Sequence, residues 1–184
     1  MKKLLLITGD LATGKTTLAK ALSERYNVPM FFKDLVKEML GDTIGFSDRR
    51  ENKRLSVAAG ELLHLIFAEF ARRGEALILE SNFRSAELEK LHKTASDSGY
   101  DVLTLVLRGD VRVLHARFLN RLENENRHPA HFSLMLKDFS DFEMYINELR
   151  AEEIPGRSLN IDAGDFSYLN DGELLTLIDG FMRG

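Results

Sequence analysis

The stretch Leu4-Leu5-Leu6-Ile7-Thr8-Gly9-Asp10-Leu11-Ala12-Thr13-Gly14-Lys15-Thr16-Thr17 decides how the chain is read. Leu4 to Ile7 run without polar alternation, as in a strand covered on both faces. Gly9 to Thr16 then match G-x-x-x-x-G-K-[ST], and helical spacing follows, so the motif stands in the strand–loop–helix context that gives it meaning. Glycines at both ends let successive backbone N–H groups turn inward toward phosphate oxygens, and the dipole of the new helix points the same way. Gly9, Asp10, Leu11, Ala12, Thr13, Gly14, Lys15, Thr16 and Thr17 are therefore the expected nucleotide-binding residues. Lys15 brings charge to the β- and γ-phosphates, and the Thr16 hydroxyl is the expected Mg²⁺ ligand. This P-loop implies nucleotide binding and leaves open which reaction follows.

Working outward, β-rich apolar runs stand at 3–7, 28–32, 76–80, 101–107 and 157–161. Helical spacing separates them at 14–26, 33–40, 54–73, 85–98, 110–125, 139–152 and 171–182. A helix between every pair of strands implies parallel pairing. The expected fold is α/β, a three-layer α/β/α sandwich around a five-stranded parallel sheet, in one domain over 1–184. Two stretches break the rhythm. Residues 41–52 carry Gly41, Gly45 and several charges and read as a mobile loop between helices. Residues 123–133 are polar, contain Pro129, and read as a lid or binding loop.

Composition narrows the function classes. With 44% apolar and 29% charged residues the chain is globular, neither disordered nor coiled coil. A net charge of −4 provides no global field for nucleic acid or an anionic membrane, so neither is expected as a partner. The absence of cysteine excludes disulfides, thiolate zinc sites and thiol nucleophiles. His115, His128 and His131 are too loosely spaced for a closed zinc site. The apolar run after Lys2-Lys3 is shorter than the ~7–15 residues of an export signal, and no stretch approaches the ~18 of a membrane span, so the cytoplasm is the expected location.

Other P-loop classes fit poorly. Asn52-Lys53-Arg54-Leu55 lacks the Asp of the base-reading N-K-x-D, and no strand precedes Asp42-Thr43-Ile44-Gly45. The third strand ends Leu79-Glu80-Ser81-Asn82-Phe83-Arg84, a single acid followed by polar groups able to face a second substrate. Ligands bind beyond the carboxyl ends of parallel strands. That rim gathers the P-loop, Lys33 and Asp34, then Glu80, Asn82 and Arg84, and finally Arg108.

On these residues the chain resembles a small P-loop kinase of the adenylate-kinase-like group. The likeness is greatest to the "predicted kinase", AAA-type ATP-binding branch near zeta toxins, chloramphenicol phosphotransferase and gluconate kinase. Asp34-Leu35-Val36-Lys37 resembles the D-x-x-R at the acceptor site of many such kinases, with Lys37 in place of Arg. Glu80-Ser81-Asn82-Phe83-Arg84 sits where nucleoside-monophosphate kinases carry D-G-F-P-R. Arg117, Arg121 and Arg127, with His128-Pro129-Ala130-His131, resemble an arginine-rich lid over about 117–133 and the R-H-P-G-H that ends it. The resemblance implies a nucleoside-kinase-like P-loop fold that uses ATP and Mg²⁺. It also places the loop Asp162-Ala163-Gly164-Asp165 against the adenine.

The expected activity is transfer of the γ-phosphoryl group of ATP to a hydroxyl of a small molecule. Asp34 is the expected general base, with a helix N-cap as the competing role. Glu80 is expected to hold Mg²⁺ or the acceptor, against a strand-end acid capping the helix near Ser85. Lys37, Asn82 and Arg84 are acceptor-side candidates. Arg117 and Arg121, four apart on one helical face, are expected to charge-stabilise the transfer together with Arg127, against a salt-bridged surface helix. Two alternatives remain open: a kinase of nucleotides or nucleic-acid ends, and an ATP-binding regulator with slow hydrolysis. A monomer or homodimer fits either.

Overall fold

The computed structural model describes residues 2–125, 128–131 and 136–184. Its strands are β1 (Lys3–Gly9), β2 (Met30–Phe32), β3 (Leu77–Glu80), β4 (Asp101–Arg108) and β5 (Ser158–Asp162). All pairings are parallel, in the order β2-β3-β1-β4-β5. The helices are α1 (Lys15–Tyr26), α2 (Lys33–Ile44), α3 (Arg49–Arg73), α4 (Ser85–Asp97), α5 (Val111–Asn124), α6 (Phe139–Arg150) and α7 (Gly172–Arg183). Short 3₁₀ turns occur at Pro129–His131 and Ser167–Asn170.

The continuous apolar runs work as a two-faced strand should. Leu5 and Ile7 of β1 join Leu103, Leu105 and Leu107 of β4 in a cluster with Leu18 and Leu22 of α1 and Ile178 of α7. Leu4 and Leu6 face the other way, into Leu63 and Phe67 of α3 and Leu88 and Leu91 of α4. Alternation of side chains along a strand thus supplies both helical layers, the expected three-layer sandwich. A third cluster, built on Leu114, Phe118, Phe142 and Ile146, joins α5 to α6.

The expected loop over 41–52 is corrected. α2 continues to Ile44, and α3 starts at Arg49 with Asp48 as its cap, accepting the Glu51 N–H at 2.8 Å. Gly41 continues α2 because its missing side chain admits its neighbours: a Cβ there would stand 3.2 Å from Phe46 Cε1 and 3.3 Å from His128 Cε1. Among the described residues no helix is long and apolar enough to cross a membrane.

Strand order places the site. From β1 the chain passes by α1 to β2 at the edge, returns through α2 and α3 to β3 beside β1, then crosses by α4 to β4 on β1's other side. Successive connections leave β1 in opposite directions, so a crevice opens at its carboxyl end.

Candidate active site

That crevice holds the loop after β1. Gly9 has φ +126° and lies so close to β4 that a Cβ would fall 2.0 Å from the Leu107 carbonyl oxygen. Gly14, at φ +82°, precedes α1, and a Cβ there would meet the Tyr168 hydroxyl at 2.6 Å. Both glycines are thus required by backbone conformation and by close approach together. Thr13 Oγ1 donates to the Asp10 carbonyl at 2.9 Å, and Tyr168 Oη donates to the Thr13 carbonyl at 2.8 Å. The Lys15 ammonium closes the loop on the Asp10 carbonyl at 2.5 Å and the Gly9 carbonyl at 3.3 Å. Burial pushes the Lys15 pKa down, while Glu80, Asp34 and Asp10 oppose the fall.

Glu80 does not cap α4. Its Oε2 accepts the Thr16 hydroxyl at 2.9 Å. Burial raises its carboxyl pKa, against the opposing pull of Lys15 and the Thr16 hydrogen bond. A hydroxyl and a carboxylate oxygen brought together beside the loop are hard donors of the kind Mg²⁺ takes. Residues Thr16 and Glu80 therefore fit the metal expected of them. The end of β3 is held to the P-loop strand by Ser81 N–H to the Ile7 carbonyl, 3.1 Å, and Phe83 N–H to Thr8 Oγ1, 3.2 Å.

Beside the loop lies a groove of about 570 Å³ between α2, α3, α6 and the 81–84 segment, with Asp34, Lys37, Asn82, Arg84, His131 and Tyr145 among its walls. Asp34 is the second residue of α2, which no side chain caps, so the capping role is not the one it takes. Its carboxylate is exposed, yet it raises the pKa of Lys15, Lys37, Glu80 and Tyr145 alike. One carboxylate is thus within electrostatic reach of both phosphate loop and groove. Lys37 is buried, donating to the Ala130 carbonyl at 2.9 Å, and burial lowers its pKa. Asn82 and Tyr145 both line the groove. Arg84 pairs with Glu152 at 3.0 Å and lies 5.8 Å from the Tyr145 ring, so part of its charge is engaged by α6 and the residues after it.

The arginines divide. Arg117 donates to the carbonyls of Ala163 and Gly164, at 2.7 and 2.5 Å, and lies 4.6 Å from the Phe166 ring. It thereby ties α5 to the loop after β5. Arg121 pairs with Glu125 at 3.1 Å, the surface bridge weighed against its functional role, while its charge still reaches Lys15 and Glu80. Arg127 lies outside the described residues, as does part of the lid stretch 117–133.

Two site residues escaped the sequence reading. The Asp10 side chain, 1% exposed, is gripped by Arg150, whose Nη2 donates to Oδ2 at 2.6 Å and whose Nε lies 3.2 Å from both carboxylate oxygens. Arg150 also donates to the Gly109 carbonyl at 2.6 Å, so α6 locks the P-loop against the β4–α5 turn. No local signal marks Arg150, since its partner is 140 residues away. Tyr145 likewise reads in sequence as an ordinary amphipathic position of α6.

The zeta toxin family is matched over residues 1–141. No curated protein matches the sequence. Among solved structures, a candidate kinase from Chloroflexus aurantiacus J-10-fl aligns at 28% identity and TM-score 0.80, covering 97% of each chain. A sugar kinase from Janibacter sp. HTCC2649 aligns at 14% identity and TM-score 0.65, covering 100% of this chain and 95% of its own. A gluconokinase from Sinorhizobium meliloti 1021 aligns at 16% identity and TM-score 0.57, over 99% and 92%. The last two, below 25% identity, are similar in fold alone.

Proposed function

The chain belongs to the zeta toxin family, and from that premise we propose that it is a P-loop phosphotransferase moving the γ-phosphoryl group of ATP to a hydroxyl of a small molecule. The observation that carries this reading is Asp34, a groove-lining carboxylate within electrostatic reach of Lys15 and Glu80. An alcohol lying in the groove loses its proton to Asp34 as its oxygen bonds to the γ-phosphorus and the bond to the leaving ADP breaks. The P-loop amides and Lys15 hold the polyphosphate through the transfer. Thr16 and Glu80 would hold Mg²⁺, and the chemistry it would supply there is neutralisation of charge on the phosphates. Arg117 and Arg121 form the lid's cationic side, and lid closure excludes water as a competing acceptor. The kinase descriptions of the aligned structures support the same class.

The test is ATP consumption against pooled alcohols, sugars, nucleosides and aminoglycosides, with Lys15→Ala as the control. Stimulation by one pool, abolished in Lys15→Ala, is the expected result. Turnover indifferent to every acceptor would remove the transferase reading and leave a slow ATPase.

A further inference from the structure

His131 ends the 3₁₀ turn Pro129–His131 with its side chain only 12% exposed, on the wall of the groove that contains Asp34. Its Nε2 lies 2.6 Å from Glu38 Oε1. Its Nδ1 lies 4.0 Å from Asp34 Oδ2. Glu38 and Asp34 are four apart on α2, hence on one helical face, and the imidazole stands between them. An ionised carboxylate can only accept, so Nε2 must carry the proton of the 2.6 Å contact, and in the neutral ring Nδ1 is then a bare lone pair facing Asp34.

We propose that His131 is a positioning residue acting through Asp34: it takes over the proton that Asp34 removes from the acceptor hydroxyl. This rests on the phosphotransfer reading above. The balance is simple. The hydroxyl oxygen bonds to phosphorus, ADP leaves with the electrons of the broken P–O bond, and the hydroxyl proton passes to Asp34 and then to His131 Nδ1. Asp34 is left ionised, and the imidazolium is flanked by two carboxylates until the proton escapes to solvent. Closing 4.0 Å to hydrogen-bond distance needs about 1 Å of side-chain movement, available to an exposed Asp34.

The turn that carries His131 is fixed for such a task. Lys37 Nζ and Asn52 Nδ2 both donate to the Ala130 carbonyl, at 2.9 and 3.0 Å. His128 Nε2 meets Asp42 Oδ1 at 2.9 Å, and its Nδ1 accepts the Ala130 N–H at 3.1 Å. Three residues of α2 and one of α3 thus hold the four-residue segment 128–131. Among the described residues, the charged and titratable groups around the imidazole are Asp34, Lys37 and Glu38 of α2 and His128 of its own turn, ring centroids 6.4 Å apart. Across the groove stand Arg49 and Lys53 of α3, Arg84, and Tyr145 of α6.

Two measurements on the full chain test the relay. The first uses histidine labelled with ¹⁵N, assigned through His131→Gln. His131 is expected as the Nε2–H tautomer, and Asp34→Asn, at an exposed position with little risk to folding, moves the Nδ1 resonance that faces it. An Nδ1–H tautomer, or an Nδ1 resonance unmoved in Asp34→Asn, overturns the proposal. The second follows MgATP hydrolysis, with water as the acceptor, across pH. His131→Gln lowers kcat by about tenfold to a hundredfold and removes the imidazole's acid limb, leaving only a carboxylate's. A lower kcat with the acid limb unmoved overturns the relay and makes His131 merely structural. Wild-type protein without MgATP turnover, toward water or the acceptor pools, defeats the phosphotransfer reading and the relay as its part, while the labelled histidine still reports whether Asp34 and His131 are coupled.

Discussion

Replacing Arg150 by Met removes the guanidinium that grips Asp10 inside the phosphate loop. The Asp10 carboxylate is 1% exposed, and once Arg150 is gone the Gly109 N–H, at 3.2 Å, is its remaining hydrogen-bond donor among the described residues. Leaving a buried charge without its partner costs about 3–5 kcal/mol. The Arg150 side chain is 30% exposed, so water reaches its side of the pair, and the lower end, about 3 kcal/mol, is expected. For a chain of this size that lowers Tm by roughly 6–12 °C. The double variant Asp10→Asn with Arg150→Met replaces the stranded charge by a neutral amide that still accepts from Gly109, and it should recover most of the loss. Thermal and urea unfolding of both single variants and the double close the cycle, with a coupling above ~1 kcal/mol expected. Calorimetric ATP titration of Arg150→Met should show weaker binding, since the loop loses its anchor to the β4–α5 turn. A Tm within about 2 °C of wild type and no coupling would refute the reasoning, because the pair would then be worth no more than a surface bridge.

Further outcomes follow from the same contacts. Asp34→Asn should leave ATP affinity near wild type and lower turnover at least a hundredfold, read by isothermal titration beside a coupled assay; equal losses in both would make Asp34 a binding group. Gly14→Ala places a Cβ 2.6 Å from the Tyr168 hydroxyl at φ +82°, so ATP affinity should collapse while far-UV dichroism stays native, and unchanged affinity would refute the close packing. Arg121→Ala should lower turnover far more than ATP binding, and the reverse pattern would assign Arg121 to the ground state. Arg25 and Tyr26 hold the Asp179 carboxyl at about 2, below its unfolded value of ~3.9. The unfolded chain therefore binds the extra proton, and this stabilisation is complete above about pH 4 and lost as pH falls through 2. Tm against pH should be flatter over that range in Asp179→Asn.

Local chemistry explains which parts could be read from residues alone. β1 and the P-loop were legible because an unalternating apolar run, two glycines and Gly14-Lys15-Thr16 each obey a rule spanning a few residues. Element order followed from the βα rhythm, with strand ends within about two residues of expectation. The stretch 41–52 misled because Gly41 and Gly45 resemble loop residues. Gly41 is instead a helix position made small for Phe46 and His128, a demand set by a segment 87 residues away.

The site shows the same division. Thr16 and Glu80 were named separately from a motif and from a strand end, and only the β1–β3 register brings them to 2.9 Å. Helical spacing placed Arg117 and Arg121 on one face without saying that the first reaches Ala163 and Gly164 and the second reaches Glu125.

Residue order by itself determined the phosphate loop, the alternation of strand and helix and the candidate acid after β2, because backbone conformation, pattern and motif are short-range properties of the chain. Tertiary structure alone decided that Arg150 locks Asp10, that Glu80 faces Thr16, and that His131 stands between Asp34 and Glu38. Those pairings join side chains 64 to 140 residues apart. Their strength comes from burial and geometry, which exist only once the sheet has ordered its strands and the helices have packed upon it.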